Sequence, residues 1–244
     1  MTDDVKATTE PPADSESDQL IVPESRTTRR AKWAERFFIV CLSAFALLAV
    51  LANRYAYFEW DLKLARDIQS ISLPGFDLLM RGVSLLGNGW VPWALVVVIG
   101  TALVVARLRL EGILLMSFAL SGWLVNRLWK LLIGRPRPSE TLVHVAGAYR
   151  QESFPSGHVV FFVEFFGFLF FLVYVLLKRG ALRRVLLVLL GLPIATVGVS
   201  RVYLGAHWPS DVLGAYLAGG IWLMLMIEVY RRIKASRYRR QTKA

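Results

Sequence analysis

Histidine, aspartate and cationic side chains concentrate in three short segments at the ends of long apolar runs. These residue types can together transfer a phosphoryl group, because an imidazole attacks phosphorus while cations neutralise the phosphate oxygens. The segments supply Lys130 and Arg137; Ser156, Gly157 and His158; and Arg201, His207 and Asp211. If the three segments meet in the fold, they form one phosphate-binding site.

The spacing of His207 and Asp211, which are four residues apart, favours an oriented imidazole. If a helix begins near Pro209, Asp211 can reach one ring nitrogen of His207 and fix its tautomer. The other ring nitrogen then becomes more nucleophilic. A capping pair without a catalytic role is the alternative, and the presence of the other two segments favours the catalytic interpretation.

The segment from Pro155 to His158 opens directly into an apolar run, which predicts a helix N-terminus. We expect the backbone N–H groups of Ser156, Gly157 and His158 to point outward, where they can bind a phosphate. Lys130 lies near the end of the preceding apolar run. Its alternative role is to extend its ammonium group to the lipid headgroups.

A metal site is another use for two histidines and an aspartate. Lys130, Arg137 and Arg201 argue against it, because they would repel a divalent cation while neutralising a phosphate. The sequence therefore predicts a site without metal or cofactor, and it places His144 in a loop outside the site. The net charge of +11 does not indicate nucleic acid, because the basic residues cluster beside apolar runs.

Six apolar segments are long enough to cross a bilayer, which takes roughly 20 residues of helix. Backbone groups in lipid must be satisfied within each segment, so we predict an all-α, polytopic bundle of six transmembrane helices. The predicted crossings cover approximately residues 37–53, 90–107, 112–133, 158–177, 183–203 and 211–230.

The flanking segments define the predicted organisation and orientation. Residues 1–35 predict a disordered cytoplasmic tail, 36–232 a single six-helix membrane domain, and 233–244 a basic cytoplasmic tail. Most of the 29 Lys and Arg residues fall on the side of the two termini. The positive-inside rule then places both termini in the cytoplasm and the three motifs on the outer face of the inner membrane. The long first outer connection predicts short interfacial helices that act as a structural belt.

The three segments resemble the signature of the type 2 phosphatidic acid phosphatase family, which reads K-x6-R-P, P-S-G-H and S-R-x5-H-x3-D. They match without substitution at residues 130–138, 155–158 and 200–211, and the resemblance covers roughly residues 35 to 232. It implies a membrane lipid phosphatase that needs no metal. The implied substrates are undecaprenyl diphosphate first, then phosphatidylglycerol phosphate or phosphatidate.

We expect His207 to attack phosphorus and form a phosphohistidine, while Asp211 stabilises its imidazolium and His158 protonates the departing oxygen. The remaining site residues would bind the phosphate: Lys130, Arg137, Ser156, Gly157 and Arg201. A lipid transporter or flippase and a non-catalytic lipid-binding scaffold are the alternatives. The absence of an internal repeat disfavours a transporter, and the intact histidines disfavour a scaffold.

Three charged residues near the motifs have no assigned role. Glu164 lies two turns into the fourth crossing, where an ionisable residue is a functional candidate by default. Packing against Arg127 or Asn126 is its structural alternative. Arg135 and Arg150 can each contact either a lipid headgroup or the phosphate. The sequence makes no prediction of the oligomeric state.

Overall fold

A computed structural model describes residues 26–149 and 151–241, and all regular secondary structure in these ranges is α-helical. The predicted all-α class is therefore confirmed for this part of the chain. The helices are α1 (Arg26–Arg54), α2 (Glu59–Gln69), α3 (Phe76–Leu85), α4 (Val91–Val105), α5 (Arg109–Ile133), α6 (Gly157–Leu176), α7 (Ala181–Tyr203) and α8 (Pro209–Gln241).

Five helical segments of the described residues are long and apolar enough to cross a membrane. They are Glu35–Arg54 of α1, Arg109–Ile133, Gly157–Leu176, Ala181–Tyr203 and Pro209–Arg239 of α8. The remaining predicted crossing, 90–107, corresponds to α4, which has only 15 residues. At 1.5 Å per residue α4 is about 22 Å long, which is shorter than the hydrocarbon core of about 30 Å.

Helix α6 lies at the centre of the bundle and packs against α5, α7 and α8. It is apolar on all sides, and Val159, Phe162 and Phe168 are fully buried. The outer helices expose large apolar side chains instead, including Leu128 of α5 and Leu189 of α7. A helix that is hydrophobic all round belongs in the interior, and apolar side chains on the outer surface suit contact with lipid.

The chain leaves α5 and enters α8 through residues that end and begin helices. Gly134 follows α5 with a φ of 63°, a left-handed conformation that favours glycine and closes the last turn. Helix α8 begins at Pro209, as the sequence predicted, because proline at a first helical position lacks only an N–H that would be unpaired. These ends place Lys130 in the last turn of α5 and His207 just before α8.

The first outer connection contains two short helices, α2 and α3, as predicted. They pack on α7, and α2 also contacts α8. Their inner faces bury polar residues, Asp61 on α2 and Ser84 on α3. The connection therefore does more than form a belt, because it brings polar groups to the ends of α7 and α8.

The two chain ends are more helical than the sequence predicted. The chain divides into compact units at residues 1–37 and 38–244. Within the first unit α1 begins at Arg26, so residues 26–35 do not belong to a disordered tail, and residues 1–25 lie outside the described ranges. In the second unit α8 continues through residue 241. Within this stretch Lys234 forms an ion pair with Glu111 of α5, with an N–O distance of 2.8 Å. This ion pair helps to explain why the basic stretch from residue 233 remains helical.

Candidate active site

The imidazole of His207 lies beside the guanidinium of Arg137. His207 follows the end of α7 and is 2% exposed. Its Nε2 atom is 3.4 Å from Nη1 of Arg137. Arg137 is held in place by the backbone carbonyls of Ala206, at 2.6 Å, and Gln151, at 2.5 Å. The first and third sequence segments therefore meet at this point.

Lys130 connects the end of α5 to the loop that precedes α6. Its Nζ donates to the carbonyl of Glu152 at 2.5 Å and lies 3.4 Å from the carbonyl of Ser153. The side chain is only 4% exposed. Lys130 therefore does not extend into water or headgroups, and its ammonium group lies inside the site.

Asp211 does not bond directly to His207. Its Oδ2 atom is 3.8 Å from Nδ1 of His207, which is too long for a hydrogen bond. Ser153 links the two: its Oγ donates to Asp211 Oδ2 at 2.5 Å and lies 3.4 Å from His207 Nδ1. The predicted direct contact between His207 and Asp211 is therefore wrong. Ser153, which the sequence did not predict as a site residue, connects the two.

These contacts select one tautomer of His207. Because the Ser153 hydroxyl gives its proton to Asp211, its oxygen can accept only from a protonated Nδ1 of His207. The Nε2 atom then carries a lone pair, and the Arg137 N–H groups face it. The tautomer that leaves Nε2 as a nucleophile thus follows from the partners on both sides of the ring.

Burial holds His207 in its neutral form. The pKa of the imidazole lies well below its ordinary value of 6.5, chiefly because burial separates the ring from water. The positive charges of Arg137, Lys130, Arg201 and His158 lower the pKa further. Burial also lowers the pKa of Arg137, and the charge of Asp211 opposes that effect.

Arg135 forms the centre of a buried network behind Asp211. Its Nη1 donates to Asp211 Oδ1 at 2.5 Å and to the Ser210 hydroxyl at 2.7 Å, and its Nη2 donates to Asp61 Oδ2 at 3.0 Å. Asp61 also accepts from the backbone N–H of Ser210 at 2.7 Å. Arg135 is 1% exposed. It therefore contacts neither a headgroup nor the phosphate position, contrary to both predicted alternatives.

His158 begins α6 and is held by the connection between α3 and α4. Its Nε2 lies 2.7 Å from Oδ1 of Asn88, so this nitrogen carries a proton that the amide oxygen accepts. The ring also packs closely against Gly87, where a Cβ atom would collide with it. Asn88 thus orients His158, although the sequence analysis did not identify it.

Arg201 and the start of α6 retain polar atoms without a partner. Arg201 donates from Nη1 to the Ser84 hydroxyl and lies 5.5 Å from the ring centre of Tyr149. Its Nε has no hydrogen-bond partner within residues 26–149 and 151–241. The Ser156 hydroxyl is buried and also unpaired. Its backbone N–H donates to the Asp211 carbonyl at 3.4 Å, so this amide does not point outward as predicted. The unpaired donors are available to an anion.

The described part of the chain contains no group of three or more His, Cys, Asp or Glu residues arranged to hold a metal ion. Independence of metal stays a prediction that chelation tests. His144 is exposed in the loop between α5 and α6, where its backbone packs against Gly205, and Arg150 lies outside the described residues.

A family model for the PAP2 superfamily matches residues 110–235, from the start of α5 into α8. The chain belongs to the PAP2 superfamily. This segment contains all three sequence motifs, and the described helices include five potential spans, so the PAP2 protein is a multi-pass membrane protein of the lipid phosphatase family.

Individual relatives match between 35% and 79% of the PAP2 chain. It is 29% identical over 195 residues to phosphatidylglycerophosphatase B of Bacillus subtilis, covering 79% of this chain and 94% of that protein. A putative undecaprenyl-diphosphatase of Escherichia coli is 37% identical over 93 residues, covering 35% of this chain and 42% of that protein. The crystal structure of a transmembrane PAP2 type phosphatidylglycerolphosphate phosphatase from Bacillus subtilis superimposes with a TM-score of 0.70 and 26% identity, covering 80% and 96%.

Proposed function

We propose that this PAP2 protein hydrolyses the terminal phosphate of a lipid through a phosphohistidine formed on His207. The observation that carries the proposal is the environment of that imidazole. It is buried and neutral, its Nε2 faces Arg137, and its Nδ1 is connected to Asp211 through Ser153. A neutral imidazole with an oriented lone pair is the form that attacks phosphorus.

In the first step, Nε2 of His207 forms a bond to phosphorus while the bond from phosphorus to the lipid oxygen breaks. His158 transfers a proton to that oxygen, and the lipid alcohol or lipid phosphate leaves. The positive charge that develops on His207 is stabilised by Asp211 through the Ser153 hydroxyl. In the second step, His158 takes a proton from water, the water oxygen attacks phosphorus, and inorganic phosphate leaves His207.

The phosphate oxygens would be neutralised by Lys130, Arg137 and Arg201, together with the Gly157 amide and the unpaired Ser156 hydroxyl. Phosphoryl transfer depends mainly on positioning and charge neutralisation, so this set of donors can act without a metal or another cofactor. The nearby Tyr149 ring lies 5.2 Å from the guanidinium of Arg137 and 5.5 Å from that of Arg201. It would hold the two cations at one place.

We further propose six crossings, formed by α1 and α4 to α8, with both termini in the cytoplasm and the site on the outer face of the inner membrane. Helix α4, although short, is strongly apolar and packs along α5. The substrate's tail would then remain in lipid while its phosphate reaches the site at headgroup height. Both the phosphatidylglycerophosphatase and the undecaprenyl-diphosphatase relatives carry names that fit a substrate of this kind.

The test is phosphate release by purified protein from phosphatidylglycerol phosphate, phosphatidate and undecaprenyl diphosphate in detergent micelles. We expect turnover of at least one lipid, and no turnover by His207→Ala or His158→Ala. A folded wild-type protein that releases no phosphate from any of the three would refute the proposal, as would full activity in His207→Ala.

A further inference from the structure

A cavity of about 220 Å³ extends from the proposed phosphate site into the bundle. Lys130 and His158 lie at one end, and Glu164 and Ala119 lie at the other. Its walls come from α4, α5 and α6, and the rings of Trp93 and Trp123 meet at 5.7 Å on one side. The position of the cavity, beside the phosphate and within the apolar bundle, is where the part of the substrate that leaves with the lipid must lie.

Glu164 is a buried carboxyl group without a partner in the described part of the chain. It is 4% exposed, and it takes part in none of the hydrogen bonds or ion pairs seen among those residues. The predicted contact with Arg127 is absent, because Arg127 lies 3.5 Å from Glu152 instead. The carboxyl group faces Gly122 of α5, and a Cβ atom at Gly122 would collide with it. A side chain at position 122 would therefore require the carboxyl group to move.

Asn126 is the second buried polar group in this cavity. It is 8% exposed, and its Oδ1 atom has no hydrogen-bond partner among the residues that the structure describes. Gly122, Asn126 and Lys130 are spaced four residues apart and share one face of α5. Glu164 lies six residues, or about 9 Å along the axis of α6, from His158. Asn126 and then Glu164 therefore lie at increasing depth in the bundle below the proposed phosphate site.

Unpaired polar groups in such a place select for a ligand that can pair with them, because burying them without a hydrogen bond is unfavourable. The glycerol unit of phosphatidylglycerol phosphate or of 1-acylglycerol 3-phosphate carries a hydroxyl group a few bonds from the phosphorus, and this O–H can donate to Asn126 Oδ1 or to the Glu164 carboxylate. A prenyl chain has only hydrocarbon beyond its phosphates, so it would leave both groups unpaired. A site that hydrogen-bonds its substrate strongly rejects an analogue that lacks the partner.

We propose that Glu164 and Asn126 accept hydrogen bonds from the glycerol hydroxyl of the substrate and make this site selective for glycerolipid phosphates that carry this hydroxyl over prenyl phosphates. The inference rests on the proposed function, since it assigns the lipid side of the same site. Under this proposal the enzyme prefers a glycerolipid phosphate to undecaprenyl diphosphate, which the family resemblance places first. It also gives Glu164 a role that packing within the bundle does not supply.

The experiment compares two single-chain monophosphates, 1-acylglycerol 3-phosphate and farnesyl phosphate, by kcat/KM in detergent. We expect the wild type to prefer the glycerol substrate, and Glu164→Leu and Asn126→Leu each to reduce that preference about tenfold. Glu164→Gln retains hydrogen-bonding capacity, so this variant should keep most of the preference for the glycerol substrate. Glu228→Leu, which removes an exposed carboxylate paired with Arg232 on α8, is the matched control and should leave the ratio unchanged.

The outcomes separate the two proposals. A ratio of kcat/KM values that is the same in the wild type and in all variants would refute the glycerol-binding role, as would equal losses on both substrates. Glu164→Ala takes the place of Glu164→Leu if the latter does not fold: a ratio in Glu164→Ala equal to that of the wild type would refute the role of Glu164. A folded wild type that hydrolyses neither monophosphate nor the three lipids named above would instead refute the proposed function.

Discussion

Removing the Ser153 hydroxyl tests how Asp211 acts on His207. In the structure the carboxylate is 3.8 Å from the imidazole, and Ser153 Oγ stands between them, 2.5 Å from Asp211 and 3.4 Å from His207. Ser153→Ala should therefore break the connection while leaving both end residues in place. A hydrogen bond to a charged group contributes about 1.5–3 kcal/mol, and this stabilisation matters most when His207 becomes positively charged. Because 1.36 kcal/mol corresponds to a factor of ten, kcat/KM should fall roughly 10- to 150-fold.

The assay is phosphate release from the preferred lipid under conditions that give kcat and KM separately. Ser121→Ala is the matched control, because among the described residues the Ser121 hydroxyl bonds only to the Phe118 carbonyl of its own helix, at 3.1 Å. We expect kcat to fall in Ser153→Ala and not in the control. If Ser153→Ala retains full activity while Asp211→Asn is inactive, Asp211 must contact His207 directly in the working enzyme, and the proposed connection through serine is wrong.

Three further predictions follow from the charges around the site. Arg137→Gln removes a positive charge that lowers the pKa of His207, so the pKa of His207 should rise. The acidic limb of the pH profile of kcat/KM should then move to higher pH. An unmoved limb would contradict the assignment of that limb to His207. Asp61→Leu leaves the buried Arg135 with one carboxylate instead of two. The free energy of unfolding in detergent should fall by about 3–5 kcal/mol. A loss below about 1 kcal/mol would show that the Arg135 network does not stabilise the fold. Activity should persist after EDTA treatment, and a loss that Mg²⁺ or Zn²⁺ restores would contradict a metal-free site.

Much of the helical framework could be predicted because hydrophobicity along the chain determines it. The apolar run predicted at 158–177 is α6 at Gly157–Leu176, and the run at 112–133 lies within α5. The sequence also predicts the start of α8 near Pro209 from the backbone preference of proline. The structure also places Lys130 and His158 on one cavity, and Arg137 beside His207.

The supporting residues could not be predicted, because they depend on how distant elements pack. Asp61 and Ser84 lie on α2 and α3, and their contacts with Arg135 and Arg201 are set by the docking of those helices on α7 and α8. Periodicity predicts which face of a short helix is buried, but it does not predict which residue that face meets. Ser153 lies in a loop between motifs, where neither spacing nor hydropathy distinguishes it from other serines.

The two ends of the described chain continue as helices for a different reason. Residues 26–35 and 233–241 are polar and basic, which the sequence analysis read as tails, yet both continue adjacent apolar helices. Helix extension adds one hydrogen bond for each residue fixed once a helix exists, so polar residues of good helix propensity prolong it readily. On α8 the pairs Glu228–Arg232 and Glu111–Lys234 stabilise the extension.

The stereochemical course at phosphorus tests the central claim most directly. A lipid phosphorothioate made chiral with oxygen isotopes would be hydrolysed in isotopically labelled water, and the configuration of the released thiophosphate would be determined. Attack by His207 followed by attack of water makes two in-line displacements, so the account predicts net retention of configuration. Net inversion would mean that water attacks the lipid phosphate in a single step, and it would contradict a phosphohistidine intermediate.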